Sequence, residues 1–220
     1  TPPRLVKQGT ATQLVVDGAP FLVLGGEVGN SSGEPGYLQG FWPALEALHL
    51  NTLLVPVYWD RLEPAEGQFE FGPVEGVVRD ARAHGMRLVL LWFGSWKNSM
   101  SCYAPAWVKL DTARFPRAKD STGRSLEILS PFAAANRDAD ARALRALMRR
   151  VREIDAGRRT VLMVQVENEI GMIPEARDRS AAADAAFAGQ VPAGLLDYLR
   201  RHDEQLAPEL RSLWAASGRP

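Results

Sequence analysis

The sequence is poor in the residues that most metal and redox sites require. Its 220 residues include one cysteine, Cys102, and three histidines, His49, His84 and His202. One cysteine cannot form an internal disulfide, and the histidines are scattered without the spacing of metal ligands. We therefore expect no metal site and no cofactor.

Long apolar runs and a surplus of one charge are also lacking. No stretch of about 18 consecutive apolar residues occurs, so no membrane-spanning helix is expected. Twenty-six Lys and Arg balance 26 Asp and Glu, whereas binding to nucleic acid or to an anionic membrane needs a basic surplus. No P-loop or catalytic serine elbow is found. The start TPPRLV fits the mature end of an exported protein, so we expect a periplasmic or secreted location.

What the sequence does contain is an alternation of apolar strands and amphipathic helices. Asp17-Gly18 between two apolar runs predicts a β-hairpin over about residues 5–24. NTLLVPVYW, RLVLLWFG and TVLMVQV are typical of buried strands, and helical patterns separate them. Residues 95–137 are expected to be a long irregular stretch, and such loops are usually functional. Residues 180–213 are predicted to be helical.

Strands that are apolar throughout and alternate with helices indicate a parallel sheet covered by helices. A doubly wound sheet and a (β/α)8 TIM barrel both fit. The barrel is favoured because polar or aromatic residues follow several strands, and barrel strands direct their carboxyl ends to one mouth. Only four βα units are visible, so residues 1–220 are expected to be the N-terminal part of one barrel. If the chain is complete, we expect a homo-oligomer.

The stretch TVLMVQVENEIG at residues 160–171 places carboxylates at the end of an apolar strand. Glycoside hydrolysis needs a carboxylic acid that protonates the departing oxygen and a second carboxylate across the bond. Glu169 suits the first role, and Asn168 could bind a sugar hydroxyl near the reacting carbon. Strict alternation points Gln165 and Glu167 into the barrel interior and Asn168 outward, so this hypothesis needs the strand to end or bend there.

Three motifs together resemble clan A glycoside hydrolases, most closely the β-galactosidases of glycoside hydrolase family 35. They are LGGEVGN, NTLLVPVYWDRLEPAEGQFEF and MVQVENEIG, and the resemblance covers about residues 12–172. WFGSWKNSMSCYAPAWVK is similar to a bacterial subgroup near family 42. The resemblance implies a retaining exo-β-galactosidase that removes terminal β-D-galactosyl residues from oligo- or polysaccharides by double displacement. A carbohydrate is therefore the expected partner.

The resemblance also implies roles for individual residues. Glu169 corresponds to the acid/base, Asn168 to the residue that contacts the sugar 2-hydroxyl, and Glu63 to a glutamate that binds galactose hydroxyls. The family's nucleophile lies on the seventh strand, beyond residue 220, so no glutamate of this chain is assigned that role. Further substrate-binding candidates, all near predicted strand ends, are Glu27, Asn30, Trp59, Trp92, Trp96, Lys97 and Asn98.

Several alternatives stay open on the residues alone. The tryptophans fit core packing as well as a sugar platform, and Glu63 also fits a capping carboxylate. Gly29 and Asn30 stand where family 35 has a His-Tyr pair, and Leu62 stands where it has histidine. Another clan A β-glycosidase, such as a glucosidase, mannanase or arabinosidase, therefore fits as well. If the chain truly ends at 220, a non-catalytic carbohydrate-binding module is a further possibility.

Overall fold

A computed structural model describes residues 2–173 and 175–218. By its internal contacts the chain divides into two compact units, one up to Ser180 and one from Ala181. The strands are β1 (Arg4–Gln8), β2 (Ala11–Val16), β3 (Ala19–Pro20), β4 (Gly25–Glu27), β5 (Thr52–Tyr58), β6 (Arg87–Phe93), β7 (Arg117–Lys119), β8 (Ser125–Leu129) and β9 (Val161–Val166).

The helices of the first unit include the long α6 and several shorter ones. They are α1 (Pro35–Leu38), α2 (Trp42–Ala47), α3 (Trp59–Leu62), α4 (Gly72–Ala83), α5 (Ala106–Leu110) and α6 (Ala134–Ile154). The second unit, as predicted, is helical, with α7 (Ala181–Ala188), α8 (Ala193–Arg201), a 3₁₀ turn (Asp203–Gln205) and α9 (Pro208–Ala216). Across the described residues no helix combines the length and the apolarity that crossing a bilayer demands.

A small antiparallel sheet precedes the main one. Strands β2 and β3 form the predicted hairpin, and its turn residues Asp17 and Gly18 both have positive φ, 52° and 87°. That backbone is the type favoured in two-residue hairpins, because its twist matches that of the strands. Strand β1 pairs with β2 along its whole length, which makes the sheet three-stranded rather than a simple hairpin.

The main sheet is parallel, with strand order β4–β5–β6–β9. Each strand lies beside the next one in this βα series, and the order never reverses. A doubly wound sheet of this size would show a reversal point in its strand order, whereas a barrel adds strands in sequence. The chain therefore has the fold of the first four βα units of a (β/α)8 barrel, as the sequence predicted.

The two faces of the sheet carry different side chains because successive residues of a strand alternate in direction. Leu53, Leu88 and Leu90 belong to a large core that also contains Val77 of α4 and Leu147 of α6. Full burial of such a side chain contributes roughly 1.5–3 kcal/mol. The opposite face, which faces the barrel axis, carries a smaller cluster made by Tyr58, Val89, Leu91 and Phe93.

Residues 95–137 are more ordered than predicted. They contain helix α5 and the antiparallel pair β7–β8. The two strands are only three and five residues long and shift register, so they show no clear alternation in the sequence. Ile128 and Leu129 are nevertheless buried, so this segment contributes to the core.

Candidate active site at the carboxyl end of the sheet

The site lies where the parallel strands end. Strand β4 ends at Glu27, β5 at Tyr58, β6 at Phe93 and β9 at Val166. Because parallel strands direct their carboxyl ends to one edge, the segments that follow them meet there, and barrel enzymes use this edge for catalysis. Glu27, the last residue of β4, and Asn30, three residues further on, are exposed.

Asn168 and Glu169 follow a sharp bend after strand β9. The strand ends at Val166, and Glu167 and Glu169 have positive φ, 62° and 49°. This bend breaks the alternation that would otherwise turn Asn168 outward, and so meets the condition that the sequence hypothesis set. Glu169 is exposed, whereas Asn168 is half-buried and its backbone N–H donates to the carbonyl of Trp96 over 3.3 Å.

Lys97 holds the side chain of Asn168. The Lys97 Nζ donates to Asn168 Oδ1 over 2.7 Å and to Asn98 Oδ1 over 2.6 Å. It also lies 4.8 Å from the centroid of the Phe93 ring, a cation–π distance. Lys97 is buried, while Asn98 is exposed. The structure thus joins the segment after β6 to the segment after β9.

An aromatic cluster borders the same edge. The Tyr103 ring stacks on Tyr58 with centroids 5.2 Å apart and lies tilted against Phe93 at the same distance. The Tyr58 hydroxyl accepts the Gly33 N–H over 2.9 Å, and burial, opposed by this bond, raises the pKa of Tyr58 to about 12. Tyr103 is half-buried and donates its hydroxyl to the carbonyl of Asn30 over 3.3 Å. Tyr103 is thus the ring of this cluster that keeps part of its surface accessible.

Glu167 has a different environment from Glu169. Its carboxyl accepts hydrogen bonds from the backbone N–H groups of Ser95 over 3.2 Å and Trp96 over 2.8 Å, and it is hydrogen-bonded to the Asp140 carboxyl. Burial, and then the contact with Asp140, raises the pKa of Glu167 well above its usual range. The prediction that Glu167 points into the barrel interior is wrong, because the positive φ turns its side chain toward α6.

Asp140 completes this buried carboxyl pair from helix α6. It accepts the Trp92 indole N–H and the Ser95 backbone N–H, each over 2.8 Å. The pair is so close to the chain at Gly94 that a Cβ there would lie 2.4 Å from Trp92 Nε1 and 2.6 Å from Glu167 Oε1. The carboxyl pair, Asp140 and Glu167, therefore fixes the backbone that leads to Lys97.

Three of the predicted sugar contacts lie in the interior instead. Glu63 is fully buried and accepts bonds from Trp59 Nε1 over 2.9 Å and from Arg142 Nη2 over 2.9 Å. Trp59 and Trp92 are also fully buried, in the core between sheet and helices. Trp92 lies in β6 and Trp59 directly follows β5. Both side chains pack in the core on the helix side of the sheet, so neither faces the barrel axis.

Trp96 is the predicted tryptophan that keeps accessible surface. It is half-buried and borders a cavity of about 290 Å³ between the β6 loop, the end of β9 and α6. Tyr103, Phe93 and Asp140 were missed by the sequence reasoning. Tyr103 stood in a loop predicted to be irregular, and Asp140 resembled any acidic residue in the first half of a helix. Within the described residues no group of three or more potential ligands is placed to hold a metal ion.

Sequence comparison points to one class of enzyme. No protein-family model matches the chain. A curated β-galactosidase of Xanthomonas manihotis is 34% identical over 82 residues, which is 36% of this chain and 14% of that protein. The chain thus spans about a seventh of the length of the relative it matches.

Solved structures share the fold. The GH42 β-galactosidase Gan42B of G. stearothermophilus superimposes with a TM-score of 0.59 and 22% identity, over 88% of this chain and 26% of that one. A β-galactosidase of the psychrophilic Marinomonas ef1 gives a TM-score of 0.61 and 16% identity, over 76% of this chain and 24% of that one. The chain is therefore similar to β-galactosidases. Gan42B is a GH42 enzyme, and none of these comparisons singles out family 35.

Proposed function

We propose that this chain carries the acid/base side of the active site of a retaining β-glycosidase whose substrates end in β-D-galactose. Glu169 is the acid/base, and Asn168 contacts the sugar hydroxyl next to the reacting carbon. The nucleophile comes from a later strand than those of this chain, as the resemblance to family 35 implies. The similarity to curated and solved β-galactosidases supports galactose as the sugar.

The observation that carries this proposal is the contrast at the end of strand β9. Glu169 is exposed at the edge where active sites of barrels lie, directly after Asn168, whose side chain is held by Lys97. A general acid must reach the glycosidic oxygen of a bound substrate, so it has to be accessible. Glu167 and Glu63 are held by other groups of the protein and do not meet that requirement.

The aromatic cluster of Tyr58, Phe93 and Tyr103 supports a sugar as the ligand. Its partly exposed member, Tyr103, lies against Phe93, which in turn contacts Lys97. An aromatic face binds the apolar C–H surface of a sugar, and the tyrosine hydroxyl adds a polar end. We propose Tyr103 and Trp96 as platform residues, in place of the interior Trp59 and Trp92.

The proposed mechanism is double displacement. Glu169 protonates the departing oxygen while the nucleophile attacks the anomeric carbon from the other face, and a glycosyl-enzyme forms. Glu169, now ionised, then takes a proton from water, which attacks the same carbon and releases the sugar with retained configuration. In retaining enzymes the two carboxyl groups lie about 5 Å apart.

Comparison of leaving groups tests the assignment of Glu169. Glu169→Gln removes the transferable proton, so hydrolysis of a phenyl β-D-galactoside should fall about 10²–10⁴-fold. The dinitrophenolate of a dinitrophenyl galactoside leaves as a stable anion that needs no proton, so the rate of the first step with that substrate should change little. Glu153→Gln, an exposed glutamate of α6, is the matched control and should behave as the parent. A Glu169→Gln variant as active as the parent on the phenyl galactoside contradicts the proposal.

Rates of hydrolysis of a panel of aryl glycosides distinguish between the functions that the sequence left open. Preference for the galactoside supports the proposal, whereas preference for a glucoside, mannoside or arabinoside indicates another β-glycosidase. Binding of galactosides without hydrolysis by the intact protein indicates a carbohydrate-binding module.

A further inference from the structure

Lys97 is a buried lysine with no acidic partner among the residues that the structure describes. Its exposure is 7%, and in the described part of the chain it makes no ion pair; its contacts are two amide oxygens and the Phe93 ring. Buried lysines are rare unless they are paired, because the charge loses its hydration. Burial of Lys97 therefore costs folding free energy. Its contacts indicate the role that this lysine has.

The contact with Lys97 decides the orientation of the Asn168 carboxamide. An ammonium group only donates hydrogen bonds, whereas a carboxamide has an oxygen that accepts and an NH₂ group that donates. The oxygen of Asn168 must therefore face Lys97 Nζ, at 2.7 Å. The reverse orientation would bring two donors together, so the NH₂ group is the one left for other partners.

Lys97 itself is held in a tight turn. Its backbone N–H donates to the carbonyl of Met100 over 2.8 Å, and its carbonyl accepts the Met100 N–H over 3.0 Å. Asn98 and Ser99 between them both have positive φ, 51° and 57°. Asn168 is thus held at its backbone by Trp96 and at its side chain by Lys97.

We propose that Lys97 is a positioning residue that turns the NH₂ group of Asn168 toward the substrate, so that Asn168 donates to the oxygen at C2 of the sugar. This inference rests on the proposed function and deepens it, since it makes Asn168 the donor and the oxygen at C2 the acceptor of their hydrogen bond. Lys97 acts through Asn168 and need not touch the sugar.

The test compares two substrates in three variants of the intact protein. Lys97→Met removes the donors and keeps the chain length, and Lys97→Arg keeps a charged donor. Lys119→Met, at the exposed residue of β7, is the matched control. On an aryl β-D-galactoside, Lys97→Met should lower kcat/KM about 10- to 100-fold, the usual effect of losing one positioned hydrogen bond. On the 2-deoxy analogue, which lacks the C2 oxygen, the loss should be less than about threefold. Lys97→Arg should recover part of the loss, and Lys119→Met should match the parent.

Equal losses on both substrates would overturn the proposal, since they indicate a structural role. Circular dichroism and the melting temperature show whether Lys97→Met still folds. A parent that hydrolyses no galactoside contradicts the proposed function, and the orientation of Asn168 is then tested by NMR alone. The side-chain NH₂ signals of Asn168, identified by their loss in Asn168→Asp, should shift in Lys97→Met and not in Lys119→Met. Signals that stay in place also overturn the proposal.

Discussion

Glu167 and Glu169 are two residues apart, yet their surroundings are opposite. Glu167 is held by two backbone N–H groups and by the Asp140 carboxyl, and burial together with that carboxyl raises its pKa. Glu169 is exposed at the carboxyl end of the sheet. A raised pKa in a cleft is often taken as a sign of a catalytic acid. Here the raised pKa belongs to Glu167, which shapes the loop, and the accessible neighbour Glu169 is the one that we propose as the acid.

The largest expected difference between the two glutamates is in catalysis. On a phenyl β-D-galactoside, Glu169→Gln should lower kcat/KM by about 10²–10⁴-fold because a general acid is lost. Glu167→Gln should lower it by less than about tenfold, because an amide can accept from Trp96 and donate to Asp140 in place of the shared proton. The check is steady-state kinetics of both variants at one pH. The reverse order of effects would assign the acid to Glu167.

The crowding at Gly94 should give the next largest effect, on stability. In Gly94→Ala the new methyl group meets Trp92 Nε1 and the oxygens of Asp140 and Glu167 within 2.7 Å. The free energy of unfolding should fall by about 1–3 kcal/mol, as in other overpacked sites. Urea denaturation measures it, with Gly72→Ala as the control, since a Cβ at Gly72 meets nothing within 4 Å. Equal stability of the two variants would mean that the carboxyl pair does not lie against Gly94.

The pH dependence of the free energy of unfolding should distinguish the carboxyl pair, Asp140 and Glu167, from other carboxylates of the chain. The pKa of Glu167 is raised in the folded chain. Its stabilisation is therefore complete below the unfolded pKa and is lost progressively as the pH rises from the unfolded pKa through the folded pKa. From about pH 5 to about pH 8 the parent should lose about 1 kcal/mol or more relative to Glu167→Gln, which does not titrate. Asp155 and Asp178 have lowered pKa values, so their contributions change only in more acidic solution.

Urea midpoints at several pH values measure this difference. Glu153→Gln is the control and should follow the parent throughout. Parallel curves for the parent and Glu167→Gln would show that Glu167 is already ionised at neutral pH, and the contrast with Glu169 would then disappear.

The smallest effect is expected at the edge of the aromatic cluster. Tyr103→Phe removes one 3.3 Å hydrogen bond to the Asn30 carbonyl and keeps the ring, so stability should change by less than about 1 kcal/mol and galactoside binding should be retained. Tyr103→Ala removes the ring and should raise the KM for the galactoside several-fold. Equal KM values for the two variants would exclude Tyr103 as a platform.

Local patterns were sufficient for most of the fold. The apolar runs predicted β5, β6 and β9, and Asp17-Gly18 predicted its hairpin turn, because these features depend on neighbouring residues alone. Helix α4 ends at Ala83, just before Gly85 with its φ of 66°, and this end follows from the same local chemistry. The parallel order of four strands, and hence the barrel, followed from the alternation of strand and helix.

The site depended on pairs that are far apart in the sequence. Glu63 meets Arg142, 79 residues away, and so is buried; Glu167 meets the Ser95 backbone, 72 residues away. Residue type and spacing placed Asn168 and Glu169 at the end of a strand. Which carboxyl is enclosed and which remains accessible was decided only when strands and helices packed, because burial and charge contacts are properties of the assembled layers rather than of any one segment.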